Sequence, residues 1–500
     1  MSKRNSLTMS TRVEKRIKLI PPDGGWGWMV VTGAALSNIF NQSMLSMFSL
    51  LYGDALEAMG HNTKGAAIVL STMLFVTNFG GPIAGVIVKL TSTRFVAMLG
   101  ACSCTLGIFL SGFSTNIWHL IMTYGFLLGL GLGFIQNSSF VAINSYFKLK
   151  KSRAVGLANV GTGIGQTLMP HVVRYLLENY GFRGACMLLG CLSLHGIGGT
   201  LLIQPVERHM KKVEEDVIID DKVHLLEEKH KNIVIDKSLK INGEPLNKST
   251  NAEKNGKHFE NGLKLEHNVN GKSNSNISKP KQSMLAKIYG LFDISLLSSP
   301  RFLNIIIGTA LTVTSIQNFS LIFPFFLQKV AAMDKQQTAN CMSAVAIADI
   351  VGRLTLPVIQ DKFKIKARLM LIMTSIWLII VRQVLAYQTD LNVLLFMSCL
   401  YGFGRSMIIV ARNISISENC RMDQVPAAVG LGMLFMGIIV PPTGYFLGWI
   451  RDHTGSYVAC ISAQNALLML FLFMWIPDMI LMRLQERRKQ KKNMEELELS

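Results

Sequence analysis

The run Tyr146-Phe147-Lys148-Leu149-Lys150-Lys151-Ser152-Arg153-Ala154-Val155-Gly156-Leu157-Ala158-Asn159-Val160-Gly161-Thr162-Gly163-Ile164-Gly165 sets a cluster of basic residues between two long apolar stretches. Upstream lies Ile117 to Phe147 and downstream Ala154 to Leu177, and a membrane helix needs about 20 mainly apolar residues. Cations packed between two such stretches read as a cytoplasmic turn. Gly156, Gly161 and Gly165 let neighbouring helices approach closely. Two uses of these glycines stay open: tight packing within one bundle, or a surface on which two bundles rock.

The same pattern extends in both directions. Before this run lie Trp28 to Leu51, Gly65 to Leu90 and Phe95 to Phe113, and after it Gly184 to Gln204. Six more follow: Phe302 to Gln328, Thr338 to Gln360, Leu369 to Tyr387, Leu391 to Ser417, Val425 to Ile450 and Tyr457 to Leu481. Composition agrees, because 50% of the residues are hydrophobic and only 16% charged, far from a soluble mix. The net charge of +19 does not point to nucleic acid, since the basic residues punctuate apolar runs instead of forming one wet face. The cysteines sit almost entirely inside the apolar runs, with no metal spacing or paired framework. The basic N-terminus lacks the short apolar core and cleavage site of a removable signal peptide.

The reading is an all-α membrane protein of twelve transmembrane helices in two six-helix halves. Residues 1–27 form a tail, 28–204 the first half, 205–300 a linker, 301–481 the second half and 482–500 a basic tail. The linker is rich in Lys, Asn, Glu and Ser and is expected to be disordered, because it cannot bury enough apolar surface to fold. Lys148, Lys150, Lys151 and Arg153, then Lys362, Lys364, Lys366 and Arg368, fall on one side with both tails. That bias places the termini and linker in the cytoplasm. Two stacked halves imply a solute site between them near the bilayer midplane.

Before the first span stands Pro21-Pro22-Asp23-Gly24-Gly25-Trp26-Gly27-Trp28. Asp23 is placed to cap the first backbone amides of that helix, and the tryptophans suit the membrane interface. This DGGWGW run, together with the YF-basic run opening the fifth span, resembles the paired signatures of the monocarboxylate transporter family, a branch of the major facilitator superfamily. The resemblance implies the major facilitator fold and transport at the plasma membrane of small organic anions such as lactate, pyruvate or ketone bodies, often with a proton. It also implies no enzyme activity and no cofactor or metal. Other branches carry aromatic amino acids, thyroid hormone, creatine or carnitine, and some members travel with a single-span immunoglobulin-like partner.

The chemistry is expected in the eighth span. Asp349 and Arg353 are four apart, hence on one helical face, and Asp349 lies roughly 18 Å above Asp361 at 1.5 Å per residue. Charges at that depth are costly, so they pair or line a solute path. The D-xxx-R pattern also matches the family's aspartate and arginine, which handle the proton and bind the carboxylate. One departure matters. The lysine of the proton-coupled lactate carriers falls, counting from Asp23, on Ser46, and no ionisable residue occurs from Val30 to Leu51. Proton coupling of the usual kind is therefore in doubt, which keeps alive a facilitative carrier of aromatic or neutral amino acids. A non-transporting membrane sensor is the alternative from another class.

Arg405 in the tenth span also sits at depth, either in the solute site, where arginine suits carboxylates, or paired to another helix. Arg382 and Arg412, nearer helix ends, are expected to snorkel and to be structural. Polar residues such as Asn38, Asn41 and Gln42 serve helix-to-helix hydrogen bonds more often than a path. His171 and His195 read as buried structural histidines.

Overall fold

The computed structural model describes residues 11–60, 63–220 and 290–498. Among them, ten helices are long and apolar enough to cross a membrane. The chain enters the bundle through α1 (Trp26–Phe40), a 3-10 segment Gln42–Met47 and α2 (Phe48–Ala58). It continues through α3 (Thr63–Leu90), α4 (Thr93–Ser111), α5 (Ile117–Tyr146) and α6 (Lys151–Leu201). The second half comprises α7 (Pro300–Lys329), α8 (Lys335–Phe363), α9 (Ala367–Leu385), α10 (Leu391–Ser417), α11 (Val425–Thr454) and α12 (Tyr457–Glu498).

Two local features reconcile ten long helices with twelve spans. The 51-residue α6 is interrupted at Gly181, whose φ of 64° and ψ of −178° suit glycine alone, so it crosses twice. The first span is broken instead of continuous. Its break falls at a polar run whose side chains bond to other helices: Asn41 Oδ1 accepts from Ser193 Oγ at 2.6 Å and Gln42 Nε2 donates to the Leu132 carbonyl at 3.2 Å. Irregular backbone at membrane depth is tolerated where it is buried in protein or lines a cavity. Ser46 falls in this 3-10 segment; its side chain lies outside the described residues.

The linker departs from the expectation at its start. Val206–Arg208 forms a 3-10 turn, and Lys211–Asp220 forms a strand, β2, antiparallel to β1 (Thr11–Ile20) in the N-terminal tail. The register sets Lys15 opposite Asp216 and Arg16 opposite Glu215, two segments whose complementary signs are separated by most of the first half. These strands belong to a second compact unit, distinct from the helical one. Residues 221–289, the bulk of the linker, lie outside the described residues.

The glycines of the fifth-span motif divide their work. A methyl at Gly161 would lie 2.3 Å from the Ala35 carbonyl and one at Gly165 2.5 Å from that of Ile39, both on α1. Gly156 instead faces the other half, where a methyl would come 2.6 Å from the Arg353 carbonyl. Close packing and the contact between halves thus use different faces of one helix. A second seam joins α3 to α11, with Gly85 against the Pro426 carbonyl and Asn137 Nδ2 donating to the carbonyls of Gly81 and Pro426 at 2.9 and 3.2 Å.

Both seams lie on the face where the linker joins the helices. There Asp361 at the end of α8 accepts from the Ser152 and Arg153 amides at 3.3 and 3.0 Å and pairs with the Arg153 side chain at 3.5 Å. Lys151 Nζ also donates to Ser417 Oγ at 3.4 Å. Among the described residues, the hydrogen bonds between the halves run from this face inward only as far as Asn159 and Arg353.

Candidate functional site

Beyond the seams the halves part around a cavity of about 460 Å³. It is lined from α1, α3, α5 and α6 on one side and from α7, α8, α10 and α11 on the other, and it reaches Leu70 and Leu321 toward the far end. The C-terminal half contributes Arg353, Arg405 and Arg412 to the wall; no lining residue is acidic.

Asp349 and Arg353 are brought together as the spacing requires. Arg353 Nη2 lies 2.6 Å from Asp349 Oδ2, and each side chain is almost fully buried. Arg353 Nη1 also donates to the Asn159 carbonyl across the seam at 2.6 Å. Asp349 is absent from the cavity wall and sits behind it. Arg353 is therefore on the wall but largely engaged, with only its Nε buried and without a partner.

Arg405 differs. It lines the cavity, is half-buried, and makes no hydrogen bond or ion pair among the described residues. Of the two roles open to it, pairing with another helix is not seen. Asn38 and Gln42 line the cavity while also donating to the Ala158 and Leu132 carbonyls, so each joins helices and faces the cavity at once.

Two arginines depart from the sequence reading. Arg382 does not snorkel: it is fully buried, donates to Ser315 Oγ at 2.6 Å and lies 4.7 and 5.2 Å from the ring centres of Phe319 and Tyr401. Aromatic faces and hydroxyls substitute for water around its guanidinium. Arg412 is not merely structural but part of the cavity wall. The signal was present in the sequence, since Arg405 and Arg412 are seven apart and two helical turns bring them to one face. His171 and His195 are exposed on the bundle surface instead of buried.

Asp23 also differs from expectation. No side chain caps α1; Asp23 Oδ1 instead accepts from the amides of Lys148 and Leu149 at 2.6 and 2.8 Å, capping the turn into α6. Its own amide donates to the Tyr146 carbonyl at 3.1 Å, and Trp28 packs on Phe147 at 5.0 Å. The two signature runs, far apart in sequence, therefore form one contact. Among the described residues no cluster of side chains could hold a metal ion.

Known proteins agree with this architecture. The pattern of the Major Facilitator Superfamily matches residues 33–441. The chain is 26% identical over 486 residues to Monocarboxylate transporter 2 of Mus musculus, covering 94% of this chain and 88% of that one. A stretch of 193 residues is 33% identical to Monocarboxylate transporter 2 of Mesocricetus auratus, covering 39% of this chain and 40% of that protein. In fold, it resembles the human organic anion transporter MFSD10 (TETRAN), with a TM-score of 0.60 at 14% identity over 90% of this chain and all of that one. Paired six-helix halves around a cavity and the matching family pattern place the chain in the Major Facilitator Superfamily, as a transporter and not an enzyme, and within it the chain is similar to the monocarboxylate transporters.

Proposed function

We propose that the chain carries small monocarboxylates of the lactate and pyruvate type across the plasma membrane by alternating access, with weak or no proton coupling. The observation that supports this most is Arg405, a cation on the cavity wall with no carboxylate partner. An unbalanced cation at membrane depth is costly, and a solute carboxylate offsets that cost through a charge-assisted bidentate contact. Arg353 is already neutralised by Asp349. A free Arg405 therefore needs no proton delivered to Asp349 before it can bind an anion. The closed linker face and the cavity beyond it correspond to one end state of the cycle, with solute entering from the opposite side.

A carrier of neutral or aromatic amino acids is less favoured, because a zwitterion also brings an ammonium and the cavity wall holds no carboxylate to receive it. The test is initial uptake of labelled pyruvate and tryptophan into proteoliposomes, in the parent and in Arg405→Gln, over about pH 6 to 8. Saturable pyruvate uptake should fall roughly a hundredfold in the variant, as expected when a charged anchor is removed. Tryptophan uptake without pyruvate uptake would overturn the solute class, and steep acid stimulation would overturn the weak coupling.

A further inference from the structure

We infer that the cavity accepts solutes with two anionic groups, Arg412 holding the second; this rests on the organic-anion reading above. The argument is a balance of charge. Three guanidinium groups line the cavity and none of its lining residues is acidic. Asp349, just behind the wall, neutralises Arg353. One solute carboxylate balances Arg405 and leaves Arg412 uncompensated.

Arg412 is poorly served by the protein. Its Nη1 reaches only Met436 Sδ at 3.6 Å, a weak acceptor that carries no charge. Its Nε is buried without a partner. Arg382 also keeps an unpartnered Nε, but both of its Nη groups donate to Ser315 and its guanidinium lies over two aromatic rings, with no carboxylate involved. Neutral oxygens and rings thus surround the Arg382 guanidinium, whereas Arg412, half-buried on the cavity wall, has only the thioether of Met436.

Geometry sets the size of the solute. Arg405 and Arg412 stand two turns apart on α10, roughly 10 Å along the axis. A linear dicarboxylate of about four to six carbons, with a charge-assisted contact of roughly 2.8 Å at each end, spans that separation. The cavity volume of about 460 Å³ holds such a molecule with room that a three-carbon acid leaves unfilled.

The experiment measures competition by glutarate and by butyrate against labelled pyruvate uptake in proteoliposomes of the full chain. Glutarate should compete at a concentration at least about tenfold lower than butyrate, the gain expected from one further charge-assisted contact. Arg412→Gln should erase that gap and Arg412→Lys should keep part of it. Thermal stabilisation of the purified parent by each acid gives the same comparison independently of whether the variants fold. Equal potency of the two acids in both assays would overturn the second anionic site while leaving the organic-anion reading intact. Absence of pyruvate uptake together with no stabilisation by either acid would overturn both. Chloride stabilising as strongly as glutarate would also overturn the inference, as Arg412 would then hold an inorganic anion.

Discussion

The two walls of the cavity are built from different chemistry. The N-terminal half offers neutral amides, Asn38, Gln42, Gln136, Asn159 and Gln166, whereas the C-terminal half supplies every charge, Arg353, Arg405 and Arg412. A charged contact is costly to break in a medium that excludes water, and a neutral hydrogen bond is cheaper to exchange. Under the proposed function, charge confined to one wall would let an anion stay with that half while the other re-forms its neutral bonds as the halves move. The difference also separates two kinds of arginine. Arg353 ties the halves together through Asn159, and Arg405 does not.

The comparison breaks most visibly at Arg353. Arg353→Ala strands Asp349 as an unpaired buried charge, which costs about 3–5 kcal/mol, so uptake should vanish and the thermal midpoint should drop. Adding Asp349→Ala removes the stranded charge and should recover most of the stability. Uptake measured in the double variant then sharpens the assignment. If it returns, Arg353 serves the fold and its contact with Asn159 is dispensable. If it stays absent in a stable protein, Arg353 acts on the solute or on closure of the seam.

A second test addresses the seam without touching charge. Gly156→Leu places carbon atoms where the Arg353 carbonyl and Pro357 now sit, so the linker face cannot close as it does here. Cysteine cross-linking between Ser152 and Lys362 replaced by cysteines should fall severalfold in that variant, and uptake with it. Gly161→Leu should instead lower expression, because its contact with α1 lies inside one half. Equal cross-linking in both variants would mean that the seam yields without cost. On the neutral wall, Gln166→Ala should lower uptake only about fivefold, the scale of one net hydrogen bond, against the far larger loss at Arg405.

Much of this architecture was legible in the sequence. Apolar runs and basic turns report directly on where a chain can cross lipid, and four-residue spacing was enough to join Asp349 to Arg353. What escaped were contacts between residues distant in the chain. Asp23 lies next to a helix start, so local reasoning assigns it to that helix, yet the amides that it caps belong to Lys148 and Leu149. Arg382 was misread because position along a helix cannot show that Phe319, Tyr401 and Ser315 surround it. The strand pairing of Lys211–Asp220 escaped because its partner precedes the whole first half. The break in the first span was missed because its composition stays apolar on both sides of Asn41-Gln42-Ser43.

The smallest expected effect concerns Glu418, just beyond α10 on the closed face. Its carboxylate accepts from the Ala367 amide at 3.2 and 3.3 Å and attracts Lys151 of the other half, but burial prevails and holds its pKa above the usual carboxylate value. A raised folded value means that the folded state binds the proton more tightly than the unfolded chain. The corresponding stability is complete below the ordinary glutamate pKa of about 4.3 and is lost as pH rises through the folded value. Because part of this side chain is exposed, solvent screening keeps the effect small. Thermal midpoints of the purified protein should therefore decline slightly as pH rises above the ordinary carboxylate range, and Glu418→Gln should flatten that decline. A variant whose midpoints follow the parent at every pH would show that Glu418 does not set the slope, and Asp361 on the same seam would be the next group to replace. Unlike the arginines of the cavity, Glu418 should leave the choice of solute untouched, so pyruvate and glutarate should keep their relative potencies in the Gln variant.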